Sequence, residues 1–175
     1  MIRIKFTLLF LFSLLIISCG FHLRGNQDLS AVLPEVQVQG TNKHSELGRE
    51  LVRTLTAAKV SIMDESDIIL NITRDNFSKR VLSLDSAGRA NQYELSYHLG
   101  FSLQKKSLID DKQVLVDVIP AQSITAKREY LFDANLVLSK ADEEMRLNND
   151  MRQSAVLQLI RRLKYSLQSN VAVTK

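Results

Sequence analysis

The side chains able to do chemistry in this chain are few and scattered. Its three histidines, His22, His44 and His98, show no metal-ligand spacing. Acidic groups occur at Asp64–Glu65, Asp110–Asp111 and Asp142–Glu143–Glu144. Paired carboxylates can divide acid and base work. Here, however, two of the groups fall at turns, and the third fills the first turn of a helix, where negative charge is favourable without any catalytic purpose. No nucleophile elbow, phosphate-binding loop or dinucleotide fingerprint occurs. The chain does not read as an enzyme, and nothing in it asks for a cofactor or a metal. The remaining candidates are cations. Lys140 is expected at the first position of a helix, where its charge opposes the dipole while free N–H groups offer an anion site. Together they could hold a phosphate; the alternative is that Asp142, Glu143 and Glu144 simply neutralise it. Arg89 in a hairpin turn, with Lys79 and Arg80 shortly before it, adds positive charge at one end of a sheet, unless these cations serve only solubility.

The single cysteine is the exception to this chemical poverty. Arg3 and Lys5 precede an apolar run from Phe6 to Ile17, broken only by Thr7 and Ser13. A membrane-spanning helix needs roughly 20 apolar residues, so the run fits the core of a secretory signal instead. Ile16-Ile17-Ser18-Cys19 then resembles the lipobox of bacterial lipoprotein signals, in which cleavage makes the cysteine residue one and its thiol becomes a thioether to lipid. Lipidation of Cys19 also accounts for the lack of a second cysteine in an exported chain, where disulfides are common. The other reading is an ordinary signal with an incidental buried thiol. Gly20, rather than Asp, follows the cysteine, which under the Gram-negative sorting rule directs the protein to the outer membrane.

Removing residues 1–18 leaves 157 residues with 21 basic and 19 acidic side chains, a formal balance of +2. That length suits one domain with an ordinary core, and the charge gives no support to nucleic-acid binding. The expected organisation is a signal at 1–18, a lipidated tether at 19–32, one domain at 33–170 and a tail at 171–175.

The elements that position these residues are legible from periodicity. Val36 and Val38 alternate in a strand before Gly40, and Leu47, Leu51 and Leu55 form a helical ladder behind Ser45 as N-cap. Gly48 weakens that helix by about 1 kcal/mol. A second strand covers Asp67 to Phe77 and continues toward Leu84. The clearest signal is Tyr93, Leu95, Tyr97, Leu99, Phe101 and Leu103 at every second position, an antiparallel strand with one buried face. Glu94, Ser96, His98 and Ser102 then lie on a face open to water or a partner. A fourth strand is interrupted near Pro120, at a bulge or edge. Met151, Ala155, Leu159, Leu163 and Leu167 step by four along a closing helix of about seven turns. Ser139 and Asp142 make a capping box at its start, and Arg161, Arg162 and Lys164 complement its dipole near the other end. The predicted fold is an α+β two-layer sandwich, a four-stranded mixed sheet with two helices packed on one face.

Three stretches, CGFHLRG after the lipobox, SAGRANQYELSYHLGFSL, and REYLFDANLVLSKADEEMRLNNDMRQSAVLQLIRRL, resemble the LPS-assembly lipoprotein LptE family in the same order over nearly the whole mature chain. The resemblance implies two helices on a four-stranded sheet and a role as a plug inside the outer-membrane β-barrel LptD. The pair, a heterodimer, would deliver lipopolysaccharide to the outer leaflet. It also implies lipopolysaccharide contacts from basic residues in the turn before the third strand and at the start of the last helix. Lys140 fits the second place, and Arg89 lies near the first, where Ser86 can also align. A polar sheet face suits a wet barrel lumen. The competing reading is a free-standing periplasmic lipid carrier, which needs an enclosed apolar cavity.

Overall fold

Period-2 alternation through Tyr93–Leu103 puts large apolar side chains on one side of a strand. In the computed structural model, which describes residues 28–109, 111–133 and 137–173, that stretch is the middle of the longest hairpin. Along the chain the elements are β1 (Glu35–Gln39), α1 (Glu46–Ala57), β2 (Ser61–Met63), β3 (Ile68–Leu84), β4 (Ala90–Ile109), β5 (Lys112–Leu131) and α2 (Val137–Val173). They build one sheet in the order β2-β1-β3-β4-β5. β1 runs parallel to both β2 and β3, and β3, β4 and β5 are antiparallel neighbours.

The sheet thus has five strands where the sequence predicted four. The addition, β2, is three residues long, too short to show a period. It is held by pairing with β1, Val36 opposite Ile62. The irregularity near Pro120 is both a bulge and an edge: β5 is the last strand, and its register against β4 shifts where Phe101 faces Gln122, Leu103 faces Ile119 and Gln104 faces Asp117. A proline is tolerated there because no outer strand asks for its missing N–H.

One face of the sheet and both helices share a single core. Leu47, Leu51 and Leu55 of α1, Leu95 to Leu103 at odd positions of β4, and Met151, Ala155, Val156, Leu159, Ile160 and Leu163 of α2 are all buried in it. Each such leucine contributes roughly 1.5–3 kcal/mol relative to an exposed one. The helix of α1 starts as expected, with the Gly48 N–H donating to Ser45 Oγ at 2.9 Å. A Cβ on Gly48 would lie 2.0 Å from the Asn42 carbonyl oxygen, so the glycine is what lets the preceding loop cross the helix start. Leu29 and Leu33 are also fully buried, and the Leu29 N–H donates to the Ala58 carbonyl at 2.9 Å. Core packing therefore begins within the segment assigned to the tether.

The closing helix departs from expectation at both ends. It starts at Val137, so Ser139 is its third residue rather than its N-cap. Lys140 becomes the fourth helical residue. At the far end α2 runs to Val173, so Arg161, Arg162 and Lys164 lie well inside it.

Candidate functional site

The end of the sheet that carries the β3–β4 turn and the start of α2 gathers most of the predicted cations. Lys79 sits in β3 opposite Leu95, on the face that the helices cover. Its Nζ lies 2.5 Å from Glu144 Oε2 of α2, and the Tyr130 hydroxyl donates to the same oxygen at 2.6 Å. The ammonium is 4.2 Å from the centroid of the Tyr93 ring, 5.5 Å from that of Tyr130 and 5.9 Å from that of Phe132. Tyr93 stacks on Tyr130 at 5.7 Å and meets Phe132 edge-on at 5.5 Å. A cation over ring faces is attracted by their quadrupole, and here three rings and one carboxylate enclose it.

Burial pulls the charges in this cage both ways. It would raise the Glu144 carboxyl, but the hydrogen bonds from Lys79 and Tyr130 outweigh it and hold Glu144 below its ordinary value. Burial likewise opposes the Lys79 ammonium, and bonding to Glu144 and Tyr130 raises its pKa regardless. Burial and the bond to Glu144 push the Tyr130 phenol up. The cage is charged and satisfied at neutral pH.

Lys140 is placed beside this cage along α2. Its Nζ is 2.7 Å from Glu143 Oε2, next in sequence to the Lys79 partner, and its side chain is only 18% exposed. Glu143 is therefore its partner among the acidic residues of that turn. Arg89 stays in the turn itself: its backbone N–H donates to Asp85 Oδ1 at 2.8 Å and its Nε to Asp85 Oδ2 at 2.9 Å. These bonds, the backbone N–H to Asp85 first among them, hold the Asp85 carboxyl below its usual range. Arg80 points to the other face, with Nε 2.8 Å from Glu94 Oε1. The fold thus brings Lys79 and Lys140 to adjacent carboxylates and keeps Arg89 and Arg80 apart from them. Exposed Val81, Leu84, Leu131, Leu138 and Met145 belong to the same end. Cations paired exchangeably beside apolar side chains can receive a ligand with anionic and greasy parts. The aromatic cage escaped sequence reasoning. Its one signal was a lysine between Phe77 and Val81, at an inward position of an alternating strand.

The opposite face of the sheet is less open than predicted. Glu94, Ser96 and Ser102 are all buried, and over Glu94 the cover comes from long side chains of the flanking strands. Arg80 and Lys127 both reach Glu94 Oε1, at 2.8 and 3.3 Å. The Arg80 bond, joined by Lys127, brings the Glu94 carboxyl down to about 2. Gln104 donates to Asp117 at 2.8 Å, Gln92 to Glu129 at 3.1 Å, and His98 Nδ1 lies 3.1 Å from Thr125 Oγ1. This face is polar, with its groups bonded laterally to one another.

Cys19 and His22 lie outside the described residues, as does Asp110. Among the described residues no three His, Cys, Asp or Glu side chains converge to hold a metal, and no helix is long and apolar enough to cross a membrane.

A family model described as lipopolysaccharide-assembly LptE matches residues 33–163. The LPS-assembly lipoprotein LptE of Photorhabdus laumondii is 26% identical over 167 residues, covering 92% of this chain and 85% of that protein. That of Yersinia pestis is 28% identical over 168 residues, covering 92% and 75%. Among solved structures, a lipoprotein B from Nitrosomonas europaea superposes with a TM-score of 0.60 at 28% identity, over 83% of this chain and 90% of that one. The rare lipoprotein B from Shewanella oneidensis shares the fold, with a TM-score of 0.63 at 24% identity over 79% of this chain and 98% of that one.

Proposed function

The chain belongs to the LptE lipopolysaccharide-assembly family, and from that premise we propose that it is a non-enzymatic outer-membrane lipoprotein, anchored through Cys19, that plugs and helps assemble an LptD-type β-barrel. In that complex it takes part in delivering lipopolysaccharide to the outer leaflet. The observation that carries this reading is the contrast between the two surfaces of the sheet end. The cage of Lys79 with Glu144, flanked by Lys140 with Glu143 and by exposed Leu84, Leu131 and Leu138, matches the phosphates and acyl chains of lipid A. Phosphate oxygens would take over the ammonium groups from the carboxylates through charge-assisted bonds. The laterally bonded polar face, including Arg80, Glu94 and Lys127, suits a water-filled barrel lumen.

The carrier alternative needs a deep apolar cavity. The grooves around the described residues that bear on this are shallow and lined by polar side chains such as Gln122, Arg162 and Ser123, which favours the assembly role. The test is extraction of the full lipoprotein in mild detergent followed by identification of what travels with it. Co-purification of a large outer-membrane barrel is expected. Recovery of the monomer alone under gentle extraction, or an unmodified thiol at Cys19 by mass spectrometry, would count decisively against this assignment.

A further inference from the structure

Arg161, Arg162 and Lys164 looked from the sequence like complements to a helix end, but α2 continues to Val173, more than two turns beyond Lys164. The dipole effect fades within the last turn, so these cations need another reason. Arg162 leans on the free edge of the sheet, where its Nη1 donates to the Ser123 carbonyl at 3.0 Å and lies 3.3 Å from Gln122 Oε1. The contact fixes one guanidinium just past the Pro120 irregularity of β5.

Around it runs a groove of about 470 Å³ lined by Gln122, Gln158, Arg161, Arg162, Tyr165 and Ser166. No carboxylate lines it, and the Tyr165 residue is 77% exposed although it is a large aromatic. On the other face of the same edge a second hollow, about 430 Å³, is lined by Thr73, Arg74, Gly100, Ala121 and the shared Gln122 and Ser123. Gly100 lets β3 approach closely at its floor, since a Cβ there would come within 2.5 Å of Thr73 Oγ1. Again no carboxylate lines it. The groove between the helices makes the contrast, since Glu46, Glu50 and Asp150 there balance Arg49, Arg53 and Arg152.

We propose that this band, Arg161 and Arg162 beside the β5 edge with Arg74 of β3 in the neighbouring hollow, binds the phosphorylated, acidic saccharide of a glycolipid. Guanidinium groups present planar forks that fit phosphate and carboxylate. The glutamine amides and the serine and threonine hydroxyls suit sugar hydroxyls, and the Tyr165 ring offers an apolar surface with a polar tip. Gln122 and Tyr130 are eight residues apart in β5, about 26 Å at strand rise, so the band is separate from the Lys79–Lys140 end. The inference rests on the lipopolysaccharide reading above and assigns the sugar, rather than the lipid, to a second contact.

The test titrates the full lipoprotein in detergent with three probes: intact lipopolysaccharide, its lipid-free phosphorylated core oligosaccharide, and lipid A without sugar. Arg161→Glu and Tyr165→Ala, both at exposed positions, should each melt like the parent. Arg161→Glu should weaken oligosaccharide binding tenfold or more, Tyr165→Ala by a smaller factor, and both should leave lipid A binding unchanged; removing the phosphates from the oligosaccharide should mimic Arg161→Glu. Lys140→Glu should show the reverse pattern. If intact lipopolysaccharide binds but the oligosaccharide does not, the band is not a sugar site while the functional reading stands. The proposal also falls if Arg161→Glu leaves oligosaccharide affinity unchanged, or costs only association with the barrel, which would make the band a protein contact. Failure of all three probes to bind would remove the functional reading as well.

Discussion

The two halves of α2 are held to the same sheet by different forces. From Met151 to Leu163 the helix buries six apolar side chains completely or nearly so. From Leu138 to Asp150 it buries none, and its grip is the bond of Glu144 to Lys79 and Tyr130, with Leu147 packed at the margin of the core. An apolar contact has no partner to exchange, so the second half fixes the position of the helix. A charge pair can change partners when a stronger anion arrives, so the first half is where a ligand can act without unfolding the domain. The fold thus separates the part that must persist from the part that can respond.

The sharpest way to break this contrast is to empty the apolar half. Leu159→Ala should cost about 2–5 kcal/mol, through lost burial plus the cavity left behind. The denaturant midpoint should fall with an unchanged slope. A loss under about 1 kcal/mol, well below that range, would mean that the apolar half is not what anchors α2.

The polar half should give a smaller and pH-dependent effect. Glu144→Gln leaves a weaker acceptor for Lys79 and Tyr130 and should cost about 1–2 kcal/mol at pH 7. The folded Glu144 carboxyl lies below its ordinary value of 4.5. Its contribution is therefore complete above about pH 4.5 and is lost as the pH falls through the lower folded value. The gap in urea midpoint between the parent and the variant should narrow as the pH is lowered from 7 to 3. A gap that stays constant across this range would show that Glu144 acts by packing rather than by charge.

The same contrast explains what could be read in advance. The i, i+4 ladder of Met151, Ala155, Leu159 and Leu163 is a repeating signal, and the structure places it in the core. So are the alternating residues of β4 and the Leu47–Leu55 ladder. The first half of α2 has no such repeat, and Ser139 imitated a cap two residues inside the true helix. The Lys79 cage depends on Tyr93, Tyr130, Phe132 and Glu144, which are brought together only by strand pairing and the return of α2. β2 is too short to alternate, and the cover over Glu94 comes from Arg80 and Lys127 of the neighbouring strands. Contacts made across long sequence separations leave little trace in local pattern. The loss is greatest at a site, where few residues come from each element.

Lys140 gives the finest test, because two opposing electrostatic effects nearly cancel there. Its bond to Glu143 at i, i+3 contributes about 0.2–0.5 kcal/mol. A cation this near a helix start costs about 0.3–1 kcal/mol against the dipole. Lys140→Glu loses the first and relieves the second, while adding repulsion with Glu143, so stability should stay within about 1 kcal/mol of the parent. Lipopolysaccharide affinity should nevertheless fall, since the phosphate would then face the introduced carboxylate together with those of Glu143 and Glu144. Thermal unfolding and binding measured on one preparation separate the two effects. Binding that stays constant while stability drops would make Lys140 a structural residue and leave the phosphate contact to Lys79.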